Sequence, residues 1–185
     1  MSDCVTAMAA GAAGTGVRSP VQQLDYLRST VSASRLNCWT SCRLKFYFRY
    51  ILQLTKPPTP GLHIGSVVHA VLQLWNLARW RGEHRETEDW RAEFDRQWQQ
   101  LQLDTVIPWK DPEEKEQTSA WTTLRHYLDH SPIPADERPE AVEVRAEADL
   151  SRHGLPTLIG FIDLVRPSGR IVDFKNAGKT PNNDQ

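Results

Sequence analysis

Apolar residues recur at intervals of three and four over most of the first 130 positions and at intervals of two afterwards. The clearest stripe, Ile64, Val68, Val71, Leu72, Trp75 and Ala78, predicts an amphipathic helix over 64–82. Trp90, Phe94, Trp98 and Leu101 mark a second helix over 86–103. A third, over 111–129, is entered through Asp111-Pro112-Glu113-Glu114, which puts proline at the first helical position and acid in the first turn. Ser131-Pro132-Ile133-Pro134 ends it. Upstream, 34–52 reads as a helix with Ser32 or Ser34 as its cap, and 21–30 as a short helix before it. Lys56-Pro57-Pro58-Thr59-Pro60-Gly61 breaks the chain between the two helical stretches. After Pro139 the runs Ala141–Leu150, Thr157–Val165 and Arg170–Lys175 read as strands, the last two joined by an Arg-Pro-Ser-Gly turn. Their short connections favour an antiparallel meander. The fold class is therefore α/β: a helical N-terminal part followed by three antiparallel strands.

Composition adjusts this picture in three places. The 185 residues are 39% hydrophobic and 24% charged, a mix that excludes wholesale disorder. No run of 18 apolar residues occurs, which excludes a membrane-spanning helix and a membrane partner with it. Residues 1–20 are rich in Ala and Gly without the features of a signal peptide, so 1–31 reads as a flexible leader that includes the short helix, and the cytoplasm is the expected location. Charge is uneven. Residues 1–60 carry 7 Lys/Arg against 2 Asp/Glu, 61–150 carry 10 against 18, and 151–185 carry 5 against 3. Basic ends around an acidic middle leave room for a local phosphate-binding surface.

The candidate chemistry lies in the last hairpin. If the loop is Pro167-Ser168-Gly169, Asp163 stands directly opposite Asp173, whereas a two-residue loop would offset them by one; in either case Lys175 shares a face with Asp173. Ile162, Leu164, Val172 and Phe174 fall on the other face, as a buried face requires. Two opposed carboxylates destabilise a bare hairpin, and a divalent cation between them reverses that effect. Mg²⁺ or Mn²⁺ prefers such oxygens and lowers the pKa of water while neutralising phosphoryl charge. Against this stands the common alternative, a solvated strand edge with a surface ion pair. Further upstream, Arg35, Arg43, Lys45 and Arg49 interleave with Trp39, Phe46, Tyr47, Phe48 and Tyr50. Most of these aromatics are expected in a core with snorkelling arginines around them, one or two of which touch phosphate. Cys38 and Cys42, one helical turn apart, are expected to be buried, inert thiols.

Four segments in order resemble the RecB-like branch of the PD-(D/E)XK nuclease superfamily. They are Ser32-Ala33-Ser34-Arg35-Leu36 followed by Cys42-Arg43-Leu44-Lys45-Phe46-Tyr47-Phe48-Arg49-Tyr50; Gly65-Ser66-Val67-Val68-His69-Ala70-Val71-Leu72; Gly160-Phe161-Ile162-Asp163; and Asp173-Phe174-Lys175 with Gly178-Lys179 trailing. The resemblance spans residues 32–179 and departs from the family where Arg43 stands in place of a common proline.

The resemblance implies a restriction-endonuclease-like αβββαβ core over 32–185, with a helical insert at about 83–130 and with the last helix and strand missing after Gln185. It implies His69, Asp163, Asp173 and the backbone carbonyl of Phe174 as metal ligands, Lys175 as the catalytic lysine, and Glu143 as the glutamate of the first core strand, with Glu147 on the same face as the alternative. Ser34, Arg35 and Arg43 become DNA-binding candidates. The implied reaction is Mg²⁺- or Mn²⁺-dependent hydrolysis of DNA in repair, recombination or defence, on DNA with single-stranded ends and with a helicase or nuclease partner subunit. Cys42 would join an iron–sulfur cluster only if the chain continued to further cysteines beyond 185, because such clusters need four thiolates. The competing expectations are a non-catalytic nucleic-acid-binding fragment and a zinc-binding structural protein using Cys38, Cys42 and a histidine.

Overall fold

The computed structural model describes residues 19–54, 56–103 and 106–175. The leader expected before residue 19, Gly178-Lys179 and Gln185 lie outside the described residues. The chain forms two compact units, each built from two segments: residues up to 55 with 145–160, and 56–144 with 161 onward.

Unit 1 begins with α1 (Pro20–Ser29), whose start is fixed by Ser19 and Gln22 in a reciprocal capping box. Thr30–Val31 form a short strand, β1. Ser32 then caps α2 (Ala33–Ser41) by accepting the Arg35 N–H. The single helix expected over 34–52 is not continuous. Cys42 adopts an extended conformation (φ −162°, ψ 109°) and its Sγ accepts the Lys45 N–H at 3.4 Å, so a second helix, α3 (Arg43–Phe46), starts anew. Tyr47–Ile51 continue as a π-helical turn. The amide of Gln23 donates to the Tyr50 carbonyl at 2.7 Å and ties this turn to α1.

Unit 2 is organised by α4 (Pro60–Arg81). The sequence break expected at 56–61 supplies its cap: Thr59 accepts the Leu62 N–H and Pro60 occupies the first turn. Gly82, with φ +75°, ends it in the left-handed conformation that glycine adopts without steric cost. Val67, Val71 and Leu72 of α4 pack with Trp90, Phe94 and Trp98 of α5 (Asp89–Gln100) and with Ala120, Trp121 and Leu124 of α6 (Glu113–Asp129). The α4 stripe is rotated from expectation, since Val67 is fully buried while Ile64 and Val68 are only partly so. Leu101, expected in the α5 stripe, is exposed because α5 ends before it. The indole of Trp98 donates to Glu113 at 2.9 Å, joining α5 to the start of α6. Buried Arg79 donates to the carbonyls of Pro134 and Glu137 at 2.6 and 2.7 Å, which fixes the loop leading to the next strand.

Among the described residues the sheet has four strands where three were expected. β3 (Thr157–Val165) lies between β1 and β2 (Ala141–Ala148). β1 pairs in parallel with the start of β3, Thr30 opposite Thr157 and Val31 opposite Leu158. β4 (Ile171–Val172) pairs antiparallel with the end of β3, Leu164 opposite Val172 and Val165 opposite Ile171. This is the register expected for a Pro167-Ser168-Gly169 loop, and Gly169 takes φ +73° within it. The strand is shorter than the expected 170–175, because pairing stops before Asp173. Among the described residues no helix is long and apolar enough to cross a membrane.

Candidate active site

In unit 2, α4, β2 and the β3–β4 hairpin each contribute a candidate group. Leu164 is fully buried, so alternation along β3 turns the neighbouring Asp163 to the opposite face. Asp163 Oδ2 accepts the Phe174 N–H at 2.7 Å and lies 3.8 Å from His69 Nδ1. The second distance is too long for a hydrogen bond and becomes an ion pair when His69 is protonated. Phe174 is anchored from behind, its ring packed on the helical core and 5.9 Å from that of Tyr127. Asp163 thus takes the backbone donor where the β3–β4 ladder stops.

Glu143 joins this group from β2. Burial pushes its carboxyl above the ordinary range, the charge of Asp163 pushes it further, and His69 partly offsets both. Its backbone has φ +51° inside a strand, a conformation that costs a non-glycine residue about 1–3 kcal/mol. Such strain concentrates at functional sites. The alternative, Glu147, is drawn away by Arg145 at 2.6 Å. Neither the neighbourhood of Asp163 nor the positive φ at Glu143 is readable from a Val-Glu-Val pattern.

Asp173 and Lys175 form a separate pair. Lys175 Nζ lies 3.0 and 2.9 Å from the two oxygens of Asp173, and both side chains are largely exposed. They line one side of a cavity of about 850 Å³ that also includes His69, Val68, Leu72, Tyr127 and Phe174. The strand register extends to place Asp163 and Asp173 opposite each other, but their carboxylates have different partners. Among the described residues no three His, Cys, Asp or Glu side chains are gathered closely enough to hold a metal ion as they stand. The donor types nevertheless suit a divalent cation: an imidazole and a carboxylate face each other, with a second, half-buried carboxyl whose charged form is disfavoured. A cation between these groups would offset that penalty.

The remaining candidates lie in unit 1. Arg35, one of the DNA-binding candidates, is largely buried. It is only 6% exposed, its guanidinium donates to Thr30 Oγ1 at 3.0 Å and to Ser32 Oγ at 3.4 Å, and it lies over the Tyr26 ring. Ser34 is exposed and shares a hydrogen bond with Ser32. Arg43 lies over the Trp39 ring, 5.3 Å from its centroid. The aromatics expected in a core are also corrected: Trp39, Tyr47 and Phe48 are 45%, 46% and 43% exposed, because the break at Cys42 and the π-turn spread them around the backbone. Cys38 is buried as expected, but Cys42 is exposed and serves as a helix cap. No third metal ligand joins the two among the described residues.

A helix-borne histidine, an aspartate at the end of a strand pairing and an Asp-x-Lys just past the next strand thus stand in one unit of a mixed α/β fold. The PD-(D/E)XK nuclease superfamily model matches residues 30–185, and the chain belongs to that superfamily. No curated protein and no solved structure matches the chain.

Proposed function

We propose that this protein is a RecB-like deoxyribonuclease that hydrolyses DNA phosphodiester bonds with Mg²⁺ or Mn²⁺, in repair, recombination or defence. The observation that carries the reading is the approach of His69 to Asp163, with Glu143 close enough to feel both charges. His69, Asp163 and Asp173 would hold the ion, with the Phe174 carbonyl as the resemblance implies. When bound, such an ion neutralises charge on a phosphoryl oxygen and acidifies water. Lys175 supplies a mobile ammonium for the charge that develops on the phosphate. Glu143 would complete the group from β2, where an ion would offset the burial that disfavours its charged form. Asp163 holds Phe174, and with it the backbone between Asp173 and Lys175, through its bond to the amide.

The test is cleavage of end-labelled single-stranded DNA by the full chain with millimolar Mn²⁺ or Mg²⁺. Activity is expected to vanish in EDTA, and Lys175→Ala is expected to lower it by about 10²–10³. Asp163→Asn should lower it at least as much. Folded protein without activity at any metal concentration overturns the enzyme reading. The second reading, a nucleic-acid-binding protein without cleavage, is favoured by the Asp173–Lys175 ion pair, which occupies both groups with each other. DNA retention without products would select it.

A further inference from the structure

Unit 1 carries a row of rings with a guanidinium at each end. Arg43 lies 5.3 Å from the Trp39 centroid, Trp39 lies 5.1 Å from Phe46, Phe46 lies 4.9 Å from Tyr50, and Arg49 lies 5.4 Å from Tyr50. A second ring pair, Tyr47 and Phe48 at 5.9 Å, follows from the π-turn. Trp39, Tyr47 and Phe48 each leave nearly half of their surface in water. An uncovered protein core would bury these rings. Here the extended backbone at Cys42 and the π-turn leave them in solvent.

The charge around them has one sign. No Asp or Glu occurs between Asp25 and Glu83. Among the described residues, Arg43, Lys45 and Arg49 have no carboxylate partner, and the two arginines lie over rings instead. A partner must therefore offer flat apolar surface and negative charge together. A polyanion that exposes its bases does so: phosphates meet the cations, and bases stack on exposed rings at about 1–3 kcal/mol each. A duplex hides its base faces, and an acidic protein surface seldom offers flat rings at regular steps.

We propose that this face of unit 1 binds single-stranded DNA independently of cleavage, with Arg43 and Arg49 on phosphates and Trp39, Tyr47 and Phe48 as stacking platforms. Arg35, only 6% exposed, is not part of this face. The inference shares with the proposed function only its class of partner. It assigns the binding to aromatic side chains that the motif resemblance does not single out.

The experiment is fluorescence anisotropy of a labelled oligo(dT) titrated with the full chain in EDTA, at several salt concentrations. Binding without metal is expected. Trp39→Ala and Tyr47→Ala should each weaken it about tenfold or more, and Trp39→Phe should restore most of it. Arg43→Gln with Arg49→Gln should reduce the slope of log affinity against log salt by about 1.4, or about 0.7 per lost phosphate contact. Intact oligo(dT) binding by the unaltered protein without cleavage at any metal concentration sinks only the enzyme reading. Circular dichroism melts show whether each variant remains folded. Unchanged affinity in folded Trp39→Ala and in the double arginine variant overturns the proposal. So does a concentration-dependent dimer that Trp39→Ala abolishes without altering oligo(dT) binding, which would make the face a contact between copies of this chain.

Discussion

Trp90, Phe94, Trp98 and Trp121 in α5 and α6 are folded against α4 and shielded from water, whereas Trp39, Tyr47 and Phe48 in α2 and the π-turn remain in solvent. Both regions are rich in aromatics and both are helical. They differ in continuity. α5 and α6 are unbroken helices whose large rings recur at helical spacing and meet a third helix. In unit 1 the backbone is interrupted at Cys42, and Tyr47 and Phe48 fall outside the row formed by Trp39, Phe46 and Tyr50. The cations differ as well. Arg91 beside Phe94 and Trp121 is paired with Asp95, while Arg43 and Arg49 lie beside rings in a stretch without acid. Ring content alone therefore does not separate a core from a recognition face; the distinction lies in backbone continuity and in what offsets the charge.

The sharpest way to break this contrast is to truncate one ring on each side. Trp98→Ala should cost about 3–5 kcal/mol, since it opens a cavity among Phe94, His63 and Trp109. Trp39→Ala should cost under about 1 kcal/mol. Urea unfolding of the two variants measures both, and comparable losses would refute the contrast. A smaller effect is expected from the two buried arginines. Arg79→Ala strands the carbonyls of Pro134 and Glu137 and should cost about 2–3 kcal/mol, whereas Arg35→Ala releases hydroxyl groups and should cost about 1 kcal/mol.

The smallest effect is a pH dependence arising in the aromatic core. His63, edge-on against both Trp98 and Trp109, is pushed below its ordinary value of 6.5 by burial, with the charge of Glu113 opposing. Glu113 is held below its ordinary 4.5, chiefly by hydrogen bonds from Trp98 and Gln102. Each group binds fewer protons folded than unfolded. Their contribution is therefore whole above pH 6.5, and the His63 part is lost as pH falls from there through its folded value. The Glu113 part follows below pH 4.5. The melting temperature should fall between pH 7.5 and 5.5, and His63→Leu should flatten that fall. An unchanged slope in the variant would remove His63 from the account.

Much of the site was legible in local pattern. The β3 limits follow from alternation, and the hairpin register follows from Pro167-Ser168-Gly169, because both are decided by neighbours in sequence. The α4 start was recoverable from Thr59-Pro60 but was hidden by reading the prolines only as a break. Other features depend on distant partners. Two residues, Thr30 and Val31, carry too little pattern to announce a strand whose mate is β3. The break at Cys42 depends on a side chain capping the next helix, which helical periodicity does not register. Arg35 looked available for phosphate because its hydroxyl partners and the Tyr26 ring are brought to it by the fold. At the site, motif order brought forward His69, Asp163, Asp173 and Lys175. The pairing of Asp173 with Lys175, and the different partners of Glu143 and Glu147, required side-chain positions.

The parallel pairing of β1 with β3 also governs when unit 1 can be completed. Thr30 and Thr157 come from opposite ends of the chain, so this contact closes a long loop and belongs to the slow, non-local class of folding events. On a ribosome adding about 5–20 residues per second, the aromatic face emerges on the order of ten seconds before the strand that completes its unit. During that interval the nascent chain presents Trp39, Tyr47 and Phe48 with no sheet beside them.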